Sequence, residues 1–279
     1  MKQVFDEFSR QVCKMLTHKY STSFSLGIMC IDRNIRGHIY ALYGFVRLAD
    51  EIVDSFHEAN KRELLQRLEK ETWQAIHDQI SINPVLQAFQ ETVNKVEIDR
   101  ELIEHFLNSM KMDLEDIKYN DSLYKQYIHG SAEVVGLICL KIFVQGDKKL
   151  FEELKPFALR LGSAFQKVNF LRDIKQDLNT LGRSYFPNIQ SKVFDTGTKK
   201  IIEEDIEMEF AEALKGILKL PHNSRFGVYL AFRYYSALFH KIKKTPASEI
   251  MKARIRINNF NKLLIFITSN LKYKFIISK

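Results

Sequence analysis

The stretch IYALYGFVRLADEIVDSF, residues 39–56, carries most of the fold information in the chain. Ala41, Leu42, Phe45, Val46, Leu48, Ala49, Ile52 and Val53 leave almost no polar face, so the segment reads as a helix buried nearly all round. Against that background Tyr43, Arg47, Asp50 and Asp54 fall at about 0°, 40°, 340° and 20° around the axis, one narrow polar stripe. Glu51 points roughly 100° away from Asp50, off the stripe. Two carboxylates on one buried face repel each other and lose hydration, which costs several kcal/mol unless a cation sits between them. Hard oxygen ligands at this spacing suit Mg²⁺.

A second segment, LGSAFQKVNFLRDIKQDLNTLGRSYFP (161–187), repeats the pattern. Gln166, Asn169, Asp173 and Asp177 fall at about 0°, 300°, 340° and 20°. Arg172 lies beside them, and Arg183 and Tyr185 follow the helix end, placed to close over whatever the stripe binds. If the stripes face each other, the carboxylates of Asp50, Asp54, Asp173 and Asp177 meet in one cavity with Arg47 and Arg172 at its margin. Such a cavity is stable when it holds several cations, and Mg²⁺ bound by few carboxylates completes its shell with water and phosphate oxygens. A diphosphate is the expected ligand. Either pair alone reads first as a solvated helix face, and Lys167, Lys175 and Gln176 supply a polar side on which the second helix would simply be wet. What singles the stripes out is that each adds an Arg and an amide or phenol at helical spacing.

The rest of the chain predicts one all-α domain, residues 1–279. Apolar residues recur at three- and four-residue spacing near 2–19, 35–57, 61–80, 84–95, 99–112, 121–144, 149–179, 201–219, 224–244 and 248–273, with no competing strand alternation. Breaks are expected at Pro84, Pro156, Pro187, Pro221 and Pro246, and an irregular stretch over roughly 181–200. Eleven Gly and five Pro argue against a fold of many short strands. Cys13, Cys30 and Cys139 lie far apart, which removes a disulfide framework and a zinc cluster and suggests a reducing, cytoplasmic setting. The start MKQVFDEFSR has no apolar core of a secretory signal, and VVGLICL (134–140) and LLIFI (263–267) fall short of a spanning helix, so a soluble or peripheral protein is expected. The net charge of +8 attracts anions without choosing among them. No G-x-S-x-G, no Cys with an obvious His partner, no G-x-G-x-x-G and no P-loop appears.

Taken in order, YSTSFSLGI (20–28), YALYGFVRLADEIVD (40–54), SMKMDLEDIKY (109–119), NFLRDIKQDLNTLGRSYFP (169–187) and ARIRI (253–257) resemble the motifs of the squalene/phytoene synthase family. These are head-to-head trans-isoprenyl diphosphate synthases, and the likeness is strongest to bacterial phytoene synthases. The resemblance spans roughly 12–260 and implies an all-α isoprenoid synthase fold around a deep central cavity. It implies several Mg²⁺ ions held by Asp50, Asp54, Asn169, Asp173 and Asp177. Tyr20, Ser21, Thr22, Ser23, Tyr43, Arg47, Gln166 and Arg172 correspond to residues that line or hold the diphosphates, and Tyr235 to a late tyrosine at the same site. Ser21 and Ser23 read equally as helix caps or turn residues, and Tyr235 as a core aromatic.

The implied reaction joins two prenyl diphosphates through a cyclopropylcarbinyl diphosphate. Two geranylgeranyl diphosphates giving phytoene, without NADPH, is the expected case in carotenoid biosynthesis, and squalene or dehydrosqualene from farnesyl diphosphate is the alternative. The chain departs from the family at YIHGSAEVVG (127–136), where His129 stands for a tyrosine and Glu133 for a glycine. No nucleic-acid partner is expected; the basic segment KKTPASEIMKARIR (243–256) is the nearest candidate for a peripheral contact with anionic membrane.

Overall fold

The computed structural model describes residues 1–179, 185–187 and 194–277, and no strand occurs among them. In order the chain forms helices Lys2–Tyr20 (α1), Thr22–Met29 (α2), Arg33–Asp54 (α3), Lys61–Asp78 (α4), Pro84–Val96 (α5), Arg100–Met112 (α6) and Asp121–Ile128 (α7). A π-helical turn, His129–Glu133, leads into Val134–Val144 (α8); then come Lys148–Asn179 (α9), Thr196–Lys219 (α10), His222–Lys244 (α11), Ala247–Ile250 (α12) and Asn259–Ile277 (α13). Short polar side chains start many of them. Asp32 accepts the Asn34 amide hydrogen at 2.8 Å, Asn83 that of Val85 at 3.0 Å, and Asn120 that of Leu123 at 2.9 Å. Pro84 occupies the first turn of α5, where its missing N–H costs nothing.

Four boundaries differ from the sequence expectation. Residues 22–29 are a helix, α2, capped by Ser21, whose hydroxyl accepts the Phe24 amide hydrogen at 3.2 Å. The segment 121–144 is interrupted by the π-turn, where a Cβ on Gly130 would lie 2.5 Å from the His105 carbonyl oxygen, so α6 presses on the backbone there. Pro156 does not end a helix: α9 continues through it, and buried Leu154 beside it packs into the core. The expected helix 248–273 is split, because residues 251–258 leave the helix to bury Ile255 and turn Arg254 toward α9.

Two apolar clusters build the interior. One, around the stacked Phe45 and Phe89 rings 3.9 Å apart, joins α1, α3, α4, α5, α6 and α8; the other, around Phe170, Phe210 and Phe239, joins α7, α9, α10 and α11. Between them lies an apolar cavity of about 260 Å³. Its walls need small residues where helices cross. A Cβ on Gly162 would stand 2.6 Å from the Ala132 carbonyl, and one on Gly136 would stand 2.9 Å from that of Ala158, so glycine lets the π-turn and α8 meet α9 beside the cavity. The stretch Asp121–Val144 is long and apolar enough by composition to cross a membrane, but 56% of its apolar window is buried inside the fold, between α6 and α9.

Candidate active site

On α3, Tyr43, Arg47, Asp50 and Asp54 lie close enough to act on one another's charge. Asp50 is pushed up to about 7, first by burial and then by the carboxylates of Asp54 and Asp113, with Arg47 opposing, although 34% of its side chain is exposed. The Arg47 guanidinium is 3.9 Å from Asp50 and lies 4.2 Å over the Tyr20 ring. Its Nη2 also pairs with Glu51, so Glu51 belongs to the site although helical phase placed it off the stripe. The Arg47 Nε is buried with no acceptor, a donor left open to an anion. Tyr43 is held up to about 12, mainly by burial.

On α9 the predicted residues form a connected set. The Tyr235 hydroxyl donates to Asn169 Oδ1 at 3.1 Å, the Asn169 amide to Gln166 at 3.4 Å, and the Gln166 amide to Ser131 at 3.3 Å. The Tyr235 ring stacks on Phe165 at 3.9 Å, so this tyrosine is both aromatic wall and polar contact. Arg172 Nε donates to both oxygens of Asp173, at 3.1 and 3.0 Å. Arg254 Nε adds a second cation 2.7 Å from Asp173 Oδ1. Asp177 is half-buried one turn further along. Lys175 and Gln176 are exposed, as a wet side requires, but Lys167 is buried and pairs with Asp205 and, at 2.9 Å, with Glu209. That ion pair fastens α9 to α10, so Lys167 is no evidence for a solvated stripe.

Ser21, Thr22 and Ser23 lie at the N-terminus of α2, which opens on a polar pocket of about 330 Å³. Tyr20 and Arg172 line it with Arg254, Arg256 and Lys262, and Phe24 and Tyr235 divide it from the apolar cavity. Lys262 is held below its usual range by burial and by the nearby Arg256, and Arg254 is lowered by burial with Arg172 and Arg256 adding to it. Like charges gathered beside a helix N-terminus, with Asp173 as the carboxylate held by Arg172 and Arg254, form a receptor for an anion such as a diphosphate.

Other predicted residues stand elsewhere. The Tyr185 hydroxyl donates to buried Asp113 at 2.9 Å and its ring stacks on Phe170 at 4.3 Å; Tyr127 donates to the same Asp113 at 2.8 Å. Tyr185 therefore fastens the segment after α9 to the Asp113 carboxylate near Asp50. His129 lines neither pocket: its Nδ1 is 2.8 Å from Glu133, with the His105 ring 5.1 Å away, so the two departures from the family motif satisfy each other. Arg183 lies outside the described residues. Asp113, Glu51, Arg254, Arg256 and Lys262 were not assigned from the sequence, although Asp113 and the two arginines sit in quoted motifs. Helical phase cannot reveal partners that return from distant segments.

The donor set fits Mg²⁺. Asp50 meets the Asp54 and Asp113 carboxylates with Arg47 opposing them, and carboxylate and amide oxygens are hard ligands. Among the described residues no three His, Cys, Asp or Glu side chains converge as a formed metal site, since Asp173 is turned onto its two arginines.

Residues 17–261 match the sequence model of a family described as squalene/phytoene synthase. The chain is 27% identical over 288 residues to phytoene synthase 1, chloroplastic, of Zea mays, covering 95% of this chain and 67% of that protein. It is 24% identical over 283 residues to the phytoene synthase of Arthrospira platensis, covering 92% and 90%. Among solved structures it matches a dehydrosqualene synthase in complex with ligand, at TM-score 0.78 and 17% identity over 96% of this chain and 98% of that one. The squalene synthase HpnC of Alicyclobacillus acidocaldarius matches at TM-score 0.73 and 22% identity, over 86% and 95%. These structural likenesses show the shared all-α isoprenoid synthase fold.

Proposed function

The chain belongs to the squalene/phytoene synthase family of prenyltransferases, and from that premise we propose that it condenses two geranylgeranyl diphosphates head to head into phytoene. The observation that carries the reading is one shared wall. Phe24 and Tyr235 separate a basic pocket sized for a diphosphate from an apolar cavity suited to a prenyl chain.

Asp50 and Asp54 on α3 and Asn169, Asp173 and Asp177 on α9 would hold Mg²⁺, which when bound supplies charge neutralisation for a departing diphosphate. Arg172, Arg254, Arg256 and Lys262 bind the diphosphate oxygens and orient the first substrate's C1 toward the cavity. As its allylic C–O bond breaks, the electron pair leaves with diphosphate, and Arg47 and the α2 amides stabilise the charge that develops there. The allylic cation alkylates the second substrate's double bond, and proton loss gives the cyclopropylcarbinyl diphosphate. A second ionisation, rearrangement and proton loss give the hydrocarbon and a second diphosphate, with no reductant consumed. The rings of Phe24, Phe165 and Tyr235 present negative faces to the cations and exclude water.

A product assay tests the reading. Purified protein with Mg²⁺ is given geranylgeranyl or farnesyl diphosphate, each with and without NADPH. The expected result is a C40 hydrocarbon with a conjugated central triene, independent of NADPH. NADPH-dependent C30 product would assign squalene synthesis, NADPH-independent C30 product dehydrosqualene synthesis, and no product from either substrate would overturn the reading.

A further inference from the structure

The C-terminal helix α13 carries an apolar stripe that nothing in the fold covers. Phe260, Leu263, Leu264, Ile267 and Leu271 fall at about 0°, 300°, 40°, 340° and 20° around its axis. They are 68%, 55%, 44%, 47% and 55% exposed. The opposite face is docked: the Tyr234 hydroxyl donates to the Lys262 carbonyl at 3.2 Å, and the Tyr273 ring lies 4.9 Å from that of Phe226, so α13 lies antiparallel on α11. The stripe is therefore a designed outer face of a packed helix, and not a frayed end.

Two observations say what covers it. The sequence from Met251 to Lys279 holds no Asp or Glu against Lys or Arg at 252, 254, 256, 262, 272, 274 and 279; Glu249 and Asp173 take up Lys252 and Arg254, and the other five leave the neighbourhood net positive. The helix also begins at the substrate entrance, where Ile257 and Lys262 line the polar pocket and the Lys262 ammonium bonds the Thr22 hydroxyl. We infer that α13 is a membrane-docking helix that lies in the interface of an anionic lipid surface with Phe260, Leu263, Leu264, Ile267 and Leu271 in the acyl region. Docked this way, the entrance opens at the lipid headgroups, where a prenyl chain can pass from bilayer to cavity and a hydrocarbon can return. The purpose rests on the proposed condensation; the evidence for the surface does not. The segment 243–256, the nearest candidate by charge alone, is committed elsewhere: Lys243 pairs with Glu207, Lys252 with Glu249, and Arg254 with Asp173.

The test is sedimentation of the whole chain with vesicles of phosphatidylcholine alone or with about one-third phosphatidylglycerol. The protein is expected to bind the anionic vesicles preferentially and to release as salt is raised. The double variant Leu264→Gln, Ile267→Gln is expected to bind roughly tenfold or more weakly, with turnover of detergent-dispersed substrate unchanged. Hydrogen–deuterium exchange on the unaltered protein, with and without anionic vesicles, removes any dependence on the variant's folding; new protection is expected over 259–273. Absence of that protection, equal binding by the double variant, or a lipid-free dimer that the double variant dissociates would overturn the inference. Because vesicle binding is read without turnover, its failure is distinguishable from failure of the proposed reaction.

Discussion

Arg254 lies against Asp173, its Nε 2.7 Å from Oδ1, across 81 residues of chain. The contact exists because residues 251–258 abandon the helix that local periodicity calls for, and it makes one carboxylate the partner of two guanidiniums, since Arg172 chelates the same group. The pairing keeps the basic pocket assembled before substrate arrives. On the proposed function it would also set up an exchange, in which a diphosphate competes for Arg254 and Arg172 and so frees Asp173 for a cation.

Arg254→Gln is accordingly expected to raise KM for the prenyl diphosphate about tenfold or more, the scale of a charge-assisted hydrogen bond, with a smaller effect on kcat. Initial-rate kinetics at saturating Mg²⁺ measure both. An unchanged KM would mean that Arg254 only fastens the 251–258 segment.

Asp50 and Asp173 differ in what surrounds them, and their amide variants should differ in the same sense. The Asp50 carboxyl titrates near 7 in the fold against 3.8 in the open chain. The folded state thus holds a proton that the unfolded state has released, and metal-free stability from this group is fully present below pH 3.8 and lost as pH rises through 7. Asp50→Asn removes the repulsion. At pH 8 without metal it should gain about 1–2 kcal/mol, a value cut by the solvent reaching a third of the side chain, and a few degrees in Tm. Asp173→Asn should instead lower Tm, because Arg172 and Arg254 lose their carboxylate. Both should nearly abolish turnover. Melts at pH 5 and 8 with EDTA decide it, and a fall in Tm for Asp50→Asn at pH 8 would contradict the charge balance described for α3.

Glu51 and Asp54 separate positioning from metal binding. Glu51 grips the Arg47 guanidinium that lies over Tyr20, so Glu51→Gln should raise KM several-fold while leaving the Mg²⁺ dependence of rate unchanged. Asp54→Asn should shift that dependence to much higher Mg²⁺. Rate against Mg²⁺ concentration, fitted for each variant, distinguishes the two; a Glu51→Gln curve displaced like that of Asp54→Asn would make Glu51 a ligand.

Much of this was legible before the structure because helices turn distance along the chain into direction. Tyr43, Arg47, Asp50 and Asp54 needed only a 100° step to fall together, and Gln166, Asn169 and Asp173 likewise. The site's other half was illegible by the same rule. Arg254, Arg256 and Lys262 reach the pocket because an irregular segment carries them there, and Glu51 joins because a guanidinium can serve two carboxylates from adjacent rows of one helix. Lys167 shows the reverse error: a charge that looks wet by type is buried when a neighbouring helix supplies Asp205 and Glu209. The π-turn at His129–Glu133 has no propensity signal, arising where α6 presses against Gly130.

Chain length should answer to the apolar cavity, which runs down α9 from Asn169 and Gln166 at the polar mouth past Gly162 and Ala158 to Leu154, about 18 Å from Gln166 to Leu154 along the axis. Ala158 stands about two-thirds of the way down. Ala158→Phe fills that depth and should turn away the last isoprene units while leaving the polar pocket untouched. Each buried CH₂ is worth about 0.8 kcal/mol, so excluding even two carbons of the longer chain costs it roughly tenfold in kcat/KM. The shorter farnesyl chain, which ends nearer the mouth, should lose much less. Competition between geranylgeranyl and farnesyl diphosphate, with C40 and C30 hydrocarbons quantified for the unaltered protein and the variant, reads the ratio directly. A ratio that does not move toward C30 would mean that prenyl chains do not thread past Ala158, and would place them in another part of the cavity.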